Sequence, residues 1–217
     1  MYRVVTIDGP AGAGKSTVAR LLADRLGWRF LDTGAMYRVV TLAALRRKVD
    51  LRDADALGRL AEGLEAEFPP GRTLLGDEDV SLAIRDAAVT EASRFVADSP
   101  GVRLRLVAWQ RAFAERADTV TEGRDQGTIV FPDAHRKFFV TASEEERARR
   151  RHAELRARGA SVEFETVLSD QRARDARDAS RAIAPMKPAD DAQTVDTTGL
   201  TIEQVVERLF RDIAARP

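Results

Sequence analysis

Short apolar runs alternate along this chain with longer stretches in which apolar residues recur at helical spacing. The first run, Val4–Ile7, is β-branched and typical of a buried parallel strand. A glycine-rich turn follows it. Beyond the turn, apolar residues recur every three or four positions and predict a helix that ends at Gly27; they are Val18, Leu21, Leu22 and Leu26.

The same alternation continues to the end of the chain. Phe30-Leu31 predicts a second strand, and Thr119–Thr121 predicts a third that ends in "EGRD". The stretches "RKFFVTAS" and "AQTVD" predict the fourth and fifth strands. Because strands alternate with helices throughout, the sequence predicts an α/β fold: a parallel sheet of about five strands flanked by helices on both faces.

Polar residues mark the predicted helix starts. Asp32-Thr33-Gly34 can cap the helix after the second strand, and Ser143-x-x-Glu146 and Thr201-x-x-Gln204 have the capping-box pattern. A further helix within "PGVRLRLVAWQRAF" has a predicted buried face made of Val102, Leu106, Trp109 and Phe113.

Composition narrows the possible chemistry. The 217 residues include no cysteine and only two histidines, so disulfides, thiolate catalysis and Cys- or His-rich metal sites are excluded. The formal net charge is zero, whereas proteins that hold nucleic acid usually carry a basic excess. The apolar run at the N-terminus is too short for a membrane span or a signal segment. We therefore expect a cytoplasmic protein that binds neither nucleic acid nor membrane.

The strongest motif is Gly9-x-x-x-x-Gly14-Lys15-Ser16, a complete phosphate-binding loop pattern between a predicted strand and a predicted helix. Its glycines let backbone N–H groups surround a phosphate, and the helix N-terminus adds the positive end of its dipole. Lys15 can reach the β- and γ-phosphates, and the Ser16 hydroxyl can ligate Mg²⁺. The predicted ATP-binding residues are Gly9, Pro10, Ala11, Gly12, Ala13, Gly14, Lys15, Ser16 and Thr17.

This loop is shared by kinases, GTPases and motors. The chain contains no asparagine, so the guanine-reading Asn-Lys-x-Asp motif is missing, and the chain is short for a motor. These features weigh against a GTPase and a motor, and a small-molecule kinase stays open. Phosphoryl transfer needs cations in several places and little covalent chemistry.

Five segments together resemble the bacterial cytidylate kinases, in order and with similar spacing. They are "DGPAGAGKST", "LDTGAMYR", "EGRDQGTIVFPDA", "RARDARDASRAIAPMKPA" and "DTTGLTIEQVV". The resemblance implies transfer of the γ-phosphate of ATP to CMP or dCMP with Mg²⁺. It also implies one domain over residues 1–217, with a core (1–63, 99–149 and 186–217), a small nucleoside-monophosphate-binding insert (about 64–98) and a helical lid (about 150–185). We expect a monomer.

The resemblance also implies which residues act. The residues that it implies for CMP binding are Thr33, Arg38, Arg103, Arg124, Asp125, Arg174, Asp178 and Arg181. Thr33 could equally be a plain helix cap. The residues expected to act in catalysis are Lys15, Arg124, Arg177 and Arg181.

Residues 172–181, "RARDARDASR", could form a solvent-exposed helix surface with paired charges, or a helix that closes over bound phosphates. At helical spacing Arg174, Arg177 and Arg181 share one face, where like charges repel unless a ligand supplies negative charge. Arg172 and Asp175 then point outward and can pair with each other. The uncompensated arginines favour a lid, which we expect to be mobile when empty and ordered when both nucleotides are bound.

Three features depart from the family pattern. Arg94 stands where the family often has a base-contacting serine, with Ser93 one place earlier, so either the register slips by one or base selection differs. Gln126 replaces a residue that is usually apolar and could add a contact or face water. The insert is somewhat shorter and predicts a two-strand turn on Pro69-Pro70-Gly71.

Two other functions fit part of the sequence. A kinase for UMP or AMP would share the fold and differ only in base contacts. A non-enzymatic module with the same loop could bind RNA through the arginine-rich run at 144–159. That run alternates acidic and basic residues, which favours a solvated, self-paired helix instead.

Overall fold

The computed structural model describes residues 2–157 and 159–215. Positions 1 and 217, which bound the predicted domain, and position 158 of the predicted lid lie outside these residues. Contacts divide the chain into two compact units. The first comprises the residues up to Leu31 and those from Ala117 onward, and the second comprises Asp32–Arg116.

The first unit is built on a five-stranded sheet, which confirms the predicted fold class. Its strands are β1 (Val4–Asp8), β2 (Arg29–Asp32), β6 (Thr119–Gly123), β7 (Arg136–Thr141) and β8 (Gln193–Asp196). The order is β2-β6-β1-β7-β8, and β1 pairs in parallel with both of its neighbours. The strand that precedes the phosphate-binding loop is therefore central. It is also buried, because all its residues from Val5 to Asp8 lie within the protein.

Four helices accompany this sheet: α1 (Lys15–Leu26), α6 (Glu144–Ala157), α7 (Phe164–Ser180) and α8 (Ile202–Ala214). Helix α1 ends at Gly27, which adopts the left-handed conformation (φ 68°), as predicted. The predicted capping box of α8 is complete, with both hydrogen bonds between Thr201 and Gln204 in place. At α6 the Ser143 hydroxyl accepts from the backbone N–H of Glu146 (3.2 Å).

Among the residues described, a larger and a smaller hydrophobic cluster help to hold the first unit together. The larger lies against the sheet and includes Ile7, Leu22, Phe138 and Leu209, so α1 and α8 are both anchored to the central strands. The smaller lies within the α6–α7 pair around Ala148, Val167 and Leu168. The helices that carry the arginine-rich runs therefore have an apolar core of their own.

The second unit contains α2 (Thr33–Arg46), α3 (Ala54–Glu62), α4 (Ala87–Asp98) and α5 (Pro100–Ala114). It also has an antiparallel sheet of β3 (Ala66–Glu67), β4 (Leu74–Leu75) and β5 (Glu78–Asp79), in that order. The predicted two-strand turn is present, because β3 and β4 pair on either side of Pro69-Pro70-Gly71. The prediction missed the third strand, which forms because Gly76 at φ 57° turns the chain a second time and Glu78 pairs with Leu75.

The buried face of α5 also differs from the prediction. Val102 and Leu106 are buried as expected, but the third buried position on this stripe is Gln110, whereas Trp109 is only half-buried. Trp109 lies at the edge of the helix, where its ring contacts that of Phe68 at 5.9 Å between centroids. The buried positions of α5 therefore recur every four residues, whereas the predicted spacing was four, three and four residues.

No helix within the described ranges, 2–157 and 159–215, is long and apolar enough to cross a bilayer.

The close approach of α3 and α5 gives a stability prediction. A Cβ added to Gly101 would lie 2.8 Å from the Cα of Gly58. Neither backbone can move without disturbing its helix, so overpacking should outweigh the ~1 kcal/mol that alanine gains in helix propensity. We expect Gly101→Ala to lower the free energy of unfolding by about 1–3 kcal/mol, measured by denaturant titration.

Gly63→Ala is the matched control. Gly63 ends α3 at φ −88°, and the nearest atoms to an added Cβ are 3.9 Å away, so we expect a neutral or slightly stabilising effect. Equal stability of the two variants would contradict the close helix contact.

Candidate active site

The loop between β1 and α1 has the conformation that its glycines permit. Gly9, Gly12 and Gly14 all have positive φ, at 140°, 76° and 83°. A Cβ on Gly9 would lie 2.0 Å from the carbonyl oxygen of Val140, so β7 leaves no room for a side chain there. The predicted strand–loop–helix context of the motif is confirmed.

Lys15 lies beneath this loop and is almost fully buried, at 5% exposure. Its Nζ donates to the carbonyl oxygen of Pro10 (2.7 Å). Burial lowers the pKa of Lys15, the nearby Arg124 lowers it further, and Glu122 opposes both. Ser16 is exposed where the loop joins α1, so its hydroxyl is accessible to a ligand.

Asp8 at the end of β1 anchors the segment after β6. Its two carboxylate oxygens accept from the backbone N–H groups of Gln126 (2.9 Å) and Gly127 (2.8 Å). These residues begin a π-helical turn, Gln126–Val130, a feature that often occurs at functional sites. Burial raises the pKa of Asp8 to about 6, although the two N–H groups lower it.

Gln126 does not face water. It is buried at 1% exposure, and its Oε1 accepts from the hydroxyl of Thr121 (2.9 Å). The sequence left open whether Gln126 adds a contact or faces water. The structure shows that it adds a contact, and that this contact lies inside the protein. Its hydrogen bond to Thr121 stabilises the end of β6, which Arg124 directly follows.

Arg124 and Arg181 converge on one carboxylate. The Nε of Arg124 lies 2.9 Å from one oxygen of Asp178, and a guanidinium nitrogen of Arg181 lies 2.8 Å from the other. Burial raises the pKa of Asp178, but the two arginines outweigh it, so that the net shift is downward. Asp178 is therefore a carboxylate held ionised between two cations.

Two predictions for the run at 172–181 are wrong. Helix α7 ends at Ser180, and Arg181 adopts an extended backbone (φ −55°, ψ 133°), so it does not continue the helical face of Arg174. Asp175 does not pair with Arg172 on the outside. Instead it pairs with Arg147 and accepts from the backbone N–H of Ala11 (3.2 Å), because the inner side of α7 packs on the phosphate-binding loop.

The remaining arginines of this run face outward to different degrees. Arg177 is exposed, and Arg172 pairs at the surface with Glu144 (2.7 Å). Arg174 keeps contact with solvent, but the protein atoms around its guanidinium and the nearby Arg124 lower its pKa to about 10.

In the second unit, Asp32 organises the start of α2. Its carboxylate accepts from the N–H of Ala35 (2.8 Å), which makes Asp32 the N-cap and Thr33 the first helical residue. Thr33 itself is buried, at 4% exposure. The same carboxylate lies 3.5 Å from Arg38 and 3.0 Å from Arg85, so it holds a predicted site arginine in place.

Arg103 is buried on α5 and donates to the hydroxyl of Tyr37 (3.0 Å). On α4, the Ser93 hydroxyl donates to the carbonyl oxygen of Thr90 (2.7 Å), whereas Arg94 is exposed and lies over the ring of Phe95. Of the two neighbours, the serine is thus the more enclosed.

The first unit brings most of the predicted residues together. Arg124 and Arg174 both act electrostatically on Lys15, and Asp125 acts on Asp8. The predicted residues in this unit are the loop Gly9–Thr17 with Arg124, Asp125, Arg174, Arg177, Asp178 and Arg181. Those in the second unit are Thr33, Arg38 and Arg103.

Sequence reasoning missed Glu122. It lies at the end of β6, beside β1, and its charge raises the pKa of Lys15 against the effect of burial. An acidic residue at the end of a strand next to the loop strand is where kinases with this loop place a metal-binding carboxylate. The place of Glu122 at the end of a predicted strand was therefore the sequence signal that could have identified it. Among the residues described, no group of three or more acidic or histidine side chains could by itself hold a metal ion.

Comparison with known proteins gives a consistent result. A family model described as cytidylate kinase matches residues 5–215. The chain is 49% identical to the cytidylate kinase of Stutzerimonas stutzeri and 50% identical to that of Pseudomonas savastanoi, each over 219 residues. Both alignments cover 98% of this chain and 96% of the relative.

Solved structures are similar at the level of the fold. An uncharacterised protein from Eubacterium ventriosum matches with a TM-score of 0.57 and 14% identity over 100% of both chains. A gluconokinase from Sinorhizobium meliloti matches with a TM-score of 0.50 and 16% identity, covering 98% of this chain and 92% of its own.

The buried carboxyl of Asp8 predicts a pH dependence of stability. Its pKa in the folded state, about 6, exceeds the ordinary value of 3.8. Its contribution to stability is therefore fully present below the unfolded pKa and is lost as pH rises through the folded pKa. We expect the free energy of unfolding, relative to that of Asp8→Asn, to fall by about 3 kcal/mol between about pH 4 and pH 7.

Denaturant titrations of both proteins across that range measure this difference. Asp8→Asn also removes a hydrogen-bond acceptor, which changes the free energy of unfolding by an amount that does not depend on pH. The prediction therefore concerns only how the difference in free energy of unfolding between the two proteins changes with pH. A constant difference across the range would contradict a raised pKa at Asp8.

Proposed function

The chain belongs to the cytidylate kinase family, and we infer that it transfers the γ-phosphoryl group of ATP to CMP or dCMP, giving ADP and CDP or dCDP. The similarity to named cytidylate kinases over nearly the whole chain carries this conclusion. The site supports it, since buried and partly buried cations cluster around an anion-binding loop. Phosphoryl transfer depends on such positioned charge.

On the donor side, we propose that the loop Gly9–Thr17 holds the triphosphate of ATP. The left-handed glycines turn backbone N–H groups inward, and α1 adds the positive end of its dipole. Lys15 is already desolvated in the folded protein. A phosphate beside it would favour the charged ammonium, which would then neutralise charge that develops on the transferred group.

On the acceptor side, Arg124 and Arg181 are proposed to hold the phosphate of CMP. Asp178 keeps both guanidinium groups oriented, which reduces the reorganisation needed when a phosphate binds. Asp178 and Arg174 are proposed as contacts to the nucleotide's sugar, as in the family. The proposed residues from the second unit are Thr33, Arg38 and Arg103, and Asp125 completes the set.

Mg²⁺ is proposed to accompany ATP. Mg²⁺ usually keeps several waters and binds one or two protein oxygens plus substrate phosphates. The exposed hydroxyl of Ser16 and the carboxylate of Glu122 are oxygen donors of the required kind, so the residues present fit the ion. Held by Ser16 and Glu122, the ion would supply positive charge that offsets the charge of the phosphates.

Residues 150–185 are proposed to act as a lid. The exposed Arg177 makes no ion pair with the residues described, so it is available to a ligand. In α6 part of the charge is paired within the helix, since both Arg149 and Arg150 contact Glu146. This agrees with the predicted self-paired helix and does not favour RNA binding. A monomeric state and a cytoplasmic location remain part of the proposal.

A panel of acceptors tests the function. ADP release should be measured with Mg·ATP and each of CMP, dCMP, UMP, AMP and GMP. We expect CMP and dCMP to give kcat/KM values at least tenfold above the others, since the family acts on these nucleotides. Turnover with AMP and none with CMP would contradict the assignment.

Lys15→Ala tests the donor site. The change removes a desolvated charge beside the transferring phosphate, so we expect kcat to fall by about two to four orders of magnitude. The matched control is Lys48→Ala, which removes an exposed lysine and should leave kcat unchanged. Near-normal turnover by folded Lys15→Ala, judged by circular dichroism and thermal melting, would rule out this role for Lys15.

A further inference from the structure

Asp175 ties α7 to the phosphate-binding loop. One carboxylate oxygen accepts from the backbone N–H of Ala11 (3.2 Å), and the other accepts from a guanidinium nitrogen of Arg147. Asp175 is separated from Ala11 by 164 positions in the sequence. The contact therefore joins the first loop of the chain to its penultimate long helix.

Both backbone groups of Ala11 are fixed by this ion pair. Arg147 donates to the carbonyl oxygen of Ala11 (3.0 Å) as well as to Asp175, and its Nε donates to the carbonyl oxygen of Ala142 (3.1 Å). Arg147 is 5% exposed. Because these contacts are shielded from water, they are stronger than equivalent contacts at the surface.

The neighbouring loop residues depend on the same anchor. Gln171 lies one helical turn before Asp175, and its Nε2 would be 2.5 Å from a Cβ on Gly12, so α7 packs directly against the loop. On the other side of Ala11, the carbonyl oxygen of Pro10 receives the hydrogen bond of Lys15. The conformation of Pro10–Gly12 therefore sets the position of the Lys15 ammonium.

The same end of α7 also reaches the proposed acceptor residues. Asp178, three positions after Asp175, orients Arg124 and Arg181. One helix thus contacts both the loop proposed to bind the donor phosphates and the arginines proposed for the acceptor phosphate. Such a connection maintains the distance between two groups that must meet in line.

We propose that Asp175 is a positioning residue for the donor nucleotide: with Arg147 it fixes Pro10–Gly12 against α7, and so preorganises the loop and Lys15 for the triphosphate of ATP. It acts through the loop backbone and does not contact the reacting atoms. This proposal rests on the proposed function only in requiring that the loop binds ATP.

A second ion pair between the same helices provides a control. Arg172 on α7 pairs with Glu144 at the start of α6 (2.7 Å), and both side chains are about half-exposed. This pair contributes to joining α6 and α7 but has no contact with the loop. If Asp175 served only to hold the helices together, the two pairs would have similar effects on ligand binding.

The test compares Asp175→Asn with Arg172→Gln. Calorimetric titration should measure the Kd of a non-hydrolysable ATP analogue with Mg²⁺ and, separately, the Kd of CMP. For Asp175→Asn we expect the analogue to bind at least tenfold more weakly, and CMP to bind within about twofold of wild type, since the Asp178 contacts are untouched. For Arg172→Gln both constants should remain at the wild-type values.

Two results would overturn the proposal. One is an unchanged Kd for the ATP analogue in folded Asp175→Asn, even with a lowered Tm, because that indicates a purely structural role. The other is an equal loss for the analogue and CMP, which indicates general loosening of α7. A chain that binds the analogue normally but fails to phosphorylate CMP would contradict the proposed function and leave this comparison intact.

Arg147→Lys gives an independent measurement. Lysine keeps a positive charge for Asp175 but cannot donate to Asp175, Ala11 and Ala142 in the same fixed geometry. We expect it to weaken analogue binding as Asp175→Asn does, and the double variant to be no weaker than the worse single variant. Additive losses would show that the two residues act separately. If Asp175→Asn does not fold, the test is the comparison of Arg147→Lys with Arg172→Gln, using the same two Kd measurements.

Discussion

The burial of the Lys15 ammonium beneath the loop after the central strand is the constraint on which the rest of the site depends. A buried charge is tolerated only when neighbouring groups compensate for lost hydration. Here the carbonyl oxygen of Pro10 accepts a hydrogen bond from the ammonium and the carboxylate of Glu122 lies nearby. The loop must therefore hold one conformation. Its glycines, the close approach of β7 to Gly9 and the Asp175 contact all restrict it to that conformation.

Internal carboxylates orient the arginines of the site. Asp178 holds Arg124 and Arg181, and Asp32 contacts Arg38 and Arg85. This arrangement explains how a chain of zero net charge can present oriented cations to the nucleotides proposed as its ligands. The guanidinium groups are clustered locally and oriented by carboxylates. Hydrogen-bond donors are therefore already in place for a phosphate, and its binding requires little reorganisation of the side chains.

The sequence by itself determined the fold class and the anchor of the site. The β-branched run, the glycine pattern and the helical spacing up to Gly27 are local signals, and each leads to one structure regardless of the rest of the chain. Capping at Thr201 and Gln204 was predictable for the same reason, because both hydrogen bonds join residues within one helical turn. The family resemblance supplied the proposed site residues, since the order of the motifs along the chain carries that information.

Tertiary structure alone decided the partners of the charged and polar residues around the phosphate-binding loop. Helical spacing places Asp175 within reach of Arg172, but folding brings Arg147 and Ala11 to it from 28 and 164 positions away. Similarly, the composition of α5 does not reveal that Arg103 is buried against Tyr37, and nothing local shows that Gln126 bonds to Thr121 beneath the strand end. An ionic or polar side chain has several possible partners at similar energy, and the packing of distant elements selects among them.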